Sequence, residues 1–166
     1  MDRPTEQKKI ITVPEHTVEI ITNSGEGAQK CATIFGQSCA KMGNGVWTVE
    51  IIPAEIEPPH HTVTSTSGNI VRFGTEKVTN WGDQSKLAIA FNDQVCLSRH
   101  RLHSFDDDCI ILHESMWEDH EDENIRKNYA EAMEEMSSKN YRFIKVPIEE
   151  ETLKVVDNPQ HGKNMF

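Results

Sequence analysis

The residues best placed to do chemistry stand together at positions 23–30: Asn23, Ser24, Gly25, Glu26, Gly27, Ala28, Gln29 and Lys30. Asn, Ser and two glycines supply turn chemistry and permit positive φ. A glycine turn that opens a helix leaves backbone N–H groups without intrahelical acceptors, and such a terminus favours phosphate. Asn23 to Ala28 would supply the N–H donors, Ser24 a hydroxyl and Lys30, one turn in, a positive charge. Glu26 opposes this. A carboxylate about 4 Å from a phosphate repels it by about 1 kcal/mol even at the dielectric of water, so Glu26 is expected to point away. The candidate binding residues are therefore Asn23, Ser24, Gly25, Glu26, Gly27, Ala28 and Lys30, with no catalytic residue among them.

The other chemistry-bearing groups are weaker candidates. Asp106, Asp107 and Asp108 are consecutive, whereas cation carboxylates are usually spaced and mixed with other oxygen donors; they read as a solvated turn before a strand. His60 and His61 are the adjacent pair among eight histidines, and neighbours on a strand point oppositely. Four cysteines, Cys31, Cys39, Cys96 and Cys109, form no C-x-x-C pair. They read as buried free thiols in a reducing, cytoplasmic setting. No metal or cluster site is expected.

The elements that must position the turn are legible around it. Val18, Ile20 and Ile21 make a short apolar strand. Ala28, Cys31, Ala32, Phe35, Cys39 and Met42 recur at helical spacing, and Gly43 ends the helix. A second strand runs over 46–52. Three prolines, Pro53, Pro58 and Pro59, then impose a non-regular loop before His60, His61 and Thr62. The stretch 70–74 alternates like a strand open on one face and follows the preceding strand without a helix, so an antiparallel pairing is expected. Residues 87–91 form a continuous apolar run, the mark of a strand covered on both faces. Asn92 is placed to cap a helix reaching about Arg99. Cys109 to Leu112 is another buried strand. Asp122 caps a helix whose stripe is Ile125, Tyr129, Met133 and Met136, flanked by Ala130 and Ala132. A last strand over 141–146 and a short helical segment from Glu149 to about Val156 close the chain.

Strands alternating with helices predict a three-layer α/β/α domain with a mainly parallel sheet carrying one antiparallel strand, the one containing Asn69. The 166 residues suffice for one domain. Residues 1–14 read as a polar N-terminal arm and 15–166 as the folded unit. No apolar run approaches the roughly 18 residues of a membrane span, and the N-terminus lacks the apolar core of a secretory signal. A net charge of −10 argues against a nucleic-acid partner held by bulk electrostatics.

With these pieces in order, the chain resembles the gamma domain of 2-oxoacid:ferredoxin oxidoreductases, over roughly residues 15–166. The family's Gly-x-Gly-Gly-x-Gly loop falls on residues 22–27, where Gly25 and Gly27 keep glycine. Its Pro-Glu-Ile-Arg-Gly-Gly stretch is similar to Ala54-Glu55-Ile56-Glu57-Pro58-Pro59, which keeps Glu-Ile and lacks the arginine and both glycines. Ser67-Gly68-Asn69 with Val71-Arg72, then Ala88-Ile89-Ala90-Phe91-Asn92, then Gly162-Lys163-Asn164-Met165 follow in the family's order. The resemblance implies one component of an enzyme that oxidatively decarboxylates a 2-oxoacid to an acyl-CoA. Thiamine diphosphate and iron–sulfur clusters sit in other domains, and electrons pass to ferredoxin. It implies that this domain helps hold CoA and assembles with an alpha domain and a beta subunit in a homo- or hetero-oligomer, and that the chain is inactive alone. His60, His61 and Arg72 are expected to replace part of the lost arginine's charge. The family pattern runs on into a helix from Asn164, so a following alpha domain is expected.

Two other readings stay open. One is an assembly domain without a ligand. The other is a dinucleotide-binding Rossmann domain, with Glu50, 23 residues after Gly27, as the acid that meets a ribose.

Overall fold

The computed structural model describes residues 11–158 and Gly162. In chain order it runs β1 (Glu15–Asn23), α1 (Ala28–Lys41), β2 (Gly45–Ile51), β3 (Thr66–Gly74), β4 (Ser85–Ala90), α2 (Asp93–Arg101), β5 (Phe105–Glu114), α3 (Glu123–Met136), β6 (Arg142–Val146) and α4 (Ile148–Leu153). Single 3-10 turns at Val63–Ser65 and Ser115–Trp117 precede β3 and follow β5. The sheet order is β2-β3-β1-β4-β5-β6. β3 is antiparallel to both its neighbours, and β1, β4, β5 and β6 pair in parallel. The expected architecture and its single antiparallel strand are as found.

The connections explain this order. β2 passes to β3 through a loop with no crossover helix, so the chain returns beside its own strand. β3 then inserts between β2 and β1, an approach that depends on Gly68: a Cβ there would stand 2.1 Å from the carbonyl oxygen of Ile20. β1 becomes a central strand, buried continuously from Thr17 to Asn23. On one face α1 packs over β1, β2 and β3, closing a core of Val18, Ile20, Ala28, Ala32 and Val71. On the other face α2 and α3 pack together over Ile21, Ala88, Ala90, Phe105 and Ile111.

Local signals held at the caps. Asn92 accepts the Val95 N–H at 2.9 Å, and Asp122 accepts the Asn124 N–H at 2.8 Å. They failed where burial decided against pattern. Asp106, Asp107 and Asp108 lie within β5 and not in a turn before it, because the buried Phe105 ring anchors the strand from its first residue. Met42, expected on the buried stripe of α1, is 82% exposed; the stripe ends at Cys39. On α3 the buried residues are Tyr129, Ala132 and Met136, with Ile125 and Met133 half-buried and Ala130 exposed. Among the described residues no helix is long and apolar enough to cross a membrane. Residues 1–10 of the expected N-terminal arm, and the helix expected from Asn164, lie outside the described residues.

Candidate functional site

The β1–α1 turn is built as a braced loop. Asn23 is buried, and its N–H donates to Glu26 Oε2 at 2.9 Å while its carbonyl accepts the Glu26 N–H at 3.3 Å. Ser24 N–H donates to the Ser65 carbonyl at 2.9 Å and lies 3.3 Å from its hydroxyl oxygen, which ties the turn to the entrance of β3. Gly25 and Gly27 both take left-handed backbone, with φ of 90° and 84°. A Cβ on Gly25 would meet nothing within 4 Å, so the turn faces open space there.

This geometry separates the expected donors into two sets. The N–H groups of Asn23, Ser24 and Glu26 are engaged inside the turn. Those of Ala28, Gln29 and Lys30 begin α1, where no intrahelical acceptor exists. No side chain caps this helix and no acid occupies its first turn, so the positive end of the helix dipole is offered to an anion. Lys30 is exposed beside it. The Glu26 carboxylate folds back onto Asn23 N–H. That bond takes up part of its charge but leaves the carboxylate at the turn. The groups at the turn are thus the helix N–H groups, the exposed Lys30 and the Glu26 carboxylate.

The proline-containing loop after β2 closes against this turn through His61. Its N–H donates to Asn23 Oδ1 at 3.1 Å, and its Nε2 lies 2.8 Å from Oδ1 of the fully buried Asp93, the first residue of α2. Gln94 Nε2 donates to the other Asp93 oxygen at 2.7 Å. The imidazole stacks on Trp117 with centroids 4.5 Å apart, and Trp117 donates its indole N–H to the Phe91 carbonyl at 2.7 Å. His120 stacks beyond it at 5.7 Å. The ends of β1, β4 and β5 are thus joined by one residue, through its backbone N–H and its ring.

His61 is therefore half-buried and engaged with Asn23, Asp93 and Trp117. His60 is exposed. Arg72 cannot reach this turn. It pairs across the sheet with Thr17 and Trp47, donates to Glu15 Oε2 at 2.6 Å, and lines a cavity of about 650 Å³ at the N-terminal ends of β1 and β4. The nine residues of β1 put that end on the order of 25 Å away. Glu50 is kept off for a different reason: it is level with Ile20 through Asn69, but β3 lies between β2 and β1, so the acid does not stand on the strand next to the turn as in a dinucleotide fold.

Sequence reasoning missed Asp93 and Trp117 as parts of this end of the sheet. Asn92-Asp93 was legible only as a helix cap, and no local pattern joins either residue to His61. It also missed His113 on β5, which is 1% exposed and lies beside Tyr129 and Phe143. Burial lowers its pKa to about 4, so it is neutral. The Asn92 Nδ2 and His113 Nε2 atoms are buried without a hydrogen-bond partner. The four cysteines are free. Burial raises the Cys96 thiol pKa well above its ordinary range and moves that of Cys109 up to about 12, which makes neither a ready nucleophile. Among the described residues no group of three or more His, Cys, Asp or Glu side chains is placed to hold a metal ion.

No protein-family model matches the chain, and no curated protein matches it. Solved structures do share its fold. The chain is similar to a 2-oxoglutarate:ferredoxin oxidoreductase from Magnetococcus marinus, solved with 2-oxoglutarate, coenzyme A and succinyl-CoA bound. The TM-score is 0.67 at 18% identity, covering 93% of this chain and 23% of that one. It is similar to a pyruvate oxidoreductase subunit from Thermotoga maritima, with TM-score 0.57, 13% identity and coverage of 92% and 74%. It is also similar to the gamma subunit of a keto/oxoacid ferredoxin oxidoreductase from Geobacter sulfurreducens, with TM-score 0.59, 12% identity and coverage of 92% and 71%. The chain spans about a quarter of the Magnetococcus protein and most of the other two.

Proposed function

We propose that this chain is the gamma-type component of a 2-oxoacid:ferredoxin oxidoreductase, contributing to CoA binding and to assembly, and not catalytic alone. The observation that carries the reading is the fold. Nearly the whole chain superposes on proteins of that one enzyme class, one of them solved with CoA bound. The β1–α1 turn supports the CoA part: the uncapped helix start at Ala28, Gln29 and Lys30 suits the pyrophosphate.

The residues proposed for CoA are Asn23, Ser24, Gly25, Glu26, Gly27, Ala28 and Lys30. Asn23, Ser24 and Glu26 act by shaping the turn. Ala28 and Lys30 act by presenting N–H groups, and Lys30 adds charge. Thiamine diphosphate, which supplies the carbanion chemistry of decarboxylation, and the iron–sulfur clusters that carry electrons to ferredoxin belong to partner domains in this proposal. The partners are an alpha domain following in the same or a separate chain and a beta subunit, in a reducing cytoplasmic compartment.

A ligand-free assembly role is the second reading, favoured by one observation: Glu26 keeps its carboxylate at the turn. Calorimetric titration of the assembled complex separates the two. Saturable CoA binding, with no binding of NAD, is the expected result. A complex that assembles with this chain but binds CoA equally well without it would leave the assembly role alone. NAD binding without CoA binding would overturn both.

A further inference from the structure

We propose that His61 is the positioning residue that fixes the proline-containing loop beside the β1–α1 turn, so that residues 53–62 form a wall of the CoA site. This rests on the CoA reading above. The backbone of His61 sits at φ 54°, a left-handed conformation that a non-glycine residue adopts at a cost. Such strain persists only where the surroundings over-determine it. Here three independent bonds do so, each to a different element: the N–H to Asn23 at the end of β1, Nε2 to Asp93 at the start of α2, and the ring to Trp117 after β5.

The chemistry of each partner fits a clamp rather than a free base. Asp93 is fully buried, and its two oxygens are taken by His61 and Gln94, so the imidazole is held in one orientation. Trp117 is itself pinned by its indole N–H on the Phe91 carbonyl. Asn23 carries the link onward: the side chain that accepts from His61 belongs to the residue whose N–H holds Glu26. Loop position and turn conformation are therefore coupled through two adjacent hydrogen bonds. A loop that loosens takes the wall away and frees Asn23, which shapes the phosphate-facing turn.

The test compares His61→Asn with His61→Gln in the assembled complex. Asn tolerates left-handed backbone but is too short to reach Asp93; Gln reaches Asp93 but fits that backbone less well. Two quantities are read: amide hydrogen exchange of residues 53–62 and 23–28, and CoA affinity. With His61→Asn, exchange in both segments is expected to speed up about tenfold and CoA to bind about tenfold more weakly; His61→Gln returns most of both. Unchanged exchange in the Asn variant, or a Gln variant worse than the Asn one, would overturn the clamp. Faster exchange with unaltered CoA affinity would overturn the wall. If the parent complex binds no CoA at all, the CoA reading falls together with the wall, while exchange still decides whether the clamp exists.

Discussion

His113 shows how much one buried side chain determines. Its pKa is depressed from the ordinary 6.5 to about 4, chiefly because burial disfavours the charged ring. In the window between those values the unfolded chain binds the proton and the folded one does not. His113 therefore contributes stability that is fully present above pH 6.5 and lost as the pH falls through about 4. Its size is at most about 3 kcal/mol. Replacing it with phenylalanine keeps a ring beside Tyr129 and Phe143 and removes the unpartnered Nε2. Denaturant unfolding from pH 7 to 4 should lose stability more steeply in the parent than in His113→Phe; parallel curves would show that His113 does not titrate in this window. The Glu19–Arg99 pair is the second case. Burial raises the Glu19 pKa and Arg99 opposes it, donating Nε and Nη2 to the two carboxylate oxygens at 3.2 and 2.8 Å. Arg99→Met should destabilise by about 3–5 kcal/mol, since it strands a buried carboxylate. Adding Glu19→Gln should recover much of the loss. If the single variant unfolds at the parent's denaturant midpoint, the pair does no such work. Glu19 was visible in the sequence as an acid inside an apolar strand, but its partner lies 80 residues on. Nothing local announces such pairs.

At the scale of elements, the sequence was informative where a single interaction suffices to decide. Caps at Asn92 and Asp122, the glycine turn and the alternation of strands with helices all rest on neighbours within four residues. The start of β5 did not. Three aspartates outvoted Phe105 in any local count, whereas burial of one ring decided it. The turn before α1 was legible in its glycines but not in its partners, because Ser65, which accepts from Ser24 N–H, and His61, whose N–H donates to Asn23 Oδ1, come from distant segments. This bears on how the turn should respond to mutation. Gly27 is the N-cap of α1 at φ 84°, so a β-branched residue there is strained and moves the helix start. Gly27→Val in the assembled enzyme should raise the apparent KM for CoA about tenfold or more, at least roughly 1.4 kcal/mol. CoA-free conversion of the oxoacid should change little, because that chemistry is proposed to occur on other domains. Unchanged CoA dependence in a folded variant would leave the assembly role ahead.

At the scale of the whole molecule, the order of the sheet decides which charged side chains stand near the glycine turn. Inserting β3 between β2 and β1 moves Glu50 away from the glycine turn, and the long β1 separates Arg72 from it. What remains at the turn is a set of N–H groups, one exposed lysine and one opposing carboxylate. The Cys96 and Cys109 thiols are held protonated by burial. His61, which closes against the turn, is committed to Asp93 and Trp117. In the function proposed above, this set holds an anion through the helix N–H groups while the redox and carbanion chemistry belongs to partner domains. With a net charge of −10, the cationic help beyond Lys30 for a triphosphorylated ligand such as CoA is proposed to come from a neighbouring chain. The purified chain should therefore show no CoA-dependent oxidation of pyruvate or 2-oxoglutarate with a low-potential acceptor dye. It should carry no stoichiometric iron by elemental analysis. Adding the thiamine- and cluster-bearing subunits should restore turnover, and CoA affinity should rise on assembly by at least about tenfold as the partner's cations close over the turn. Turnover by the chain alone, or CoA affinity equal before and after assembly, would contradict this division of labour and place the missing chemistry within these 166 residues.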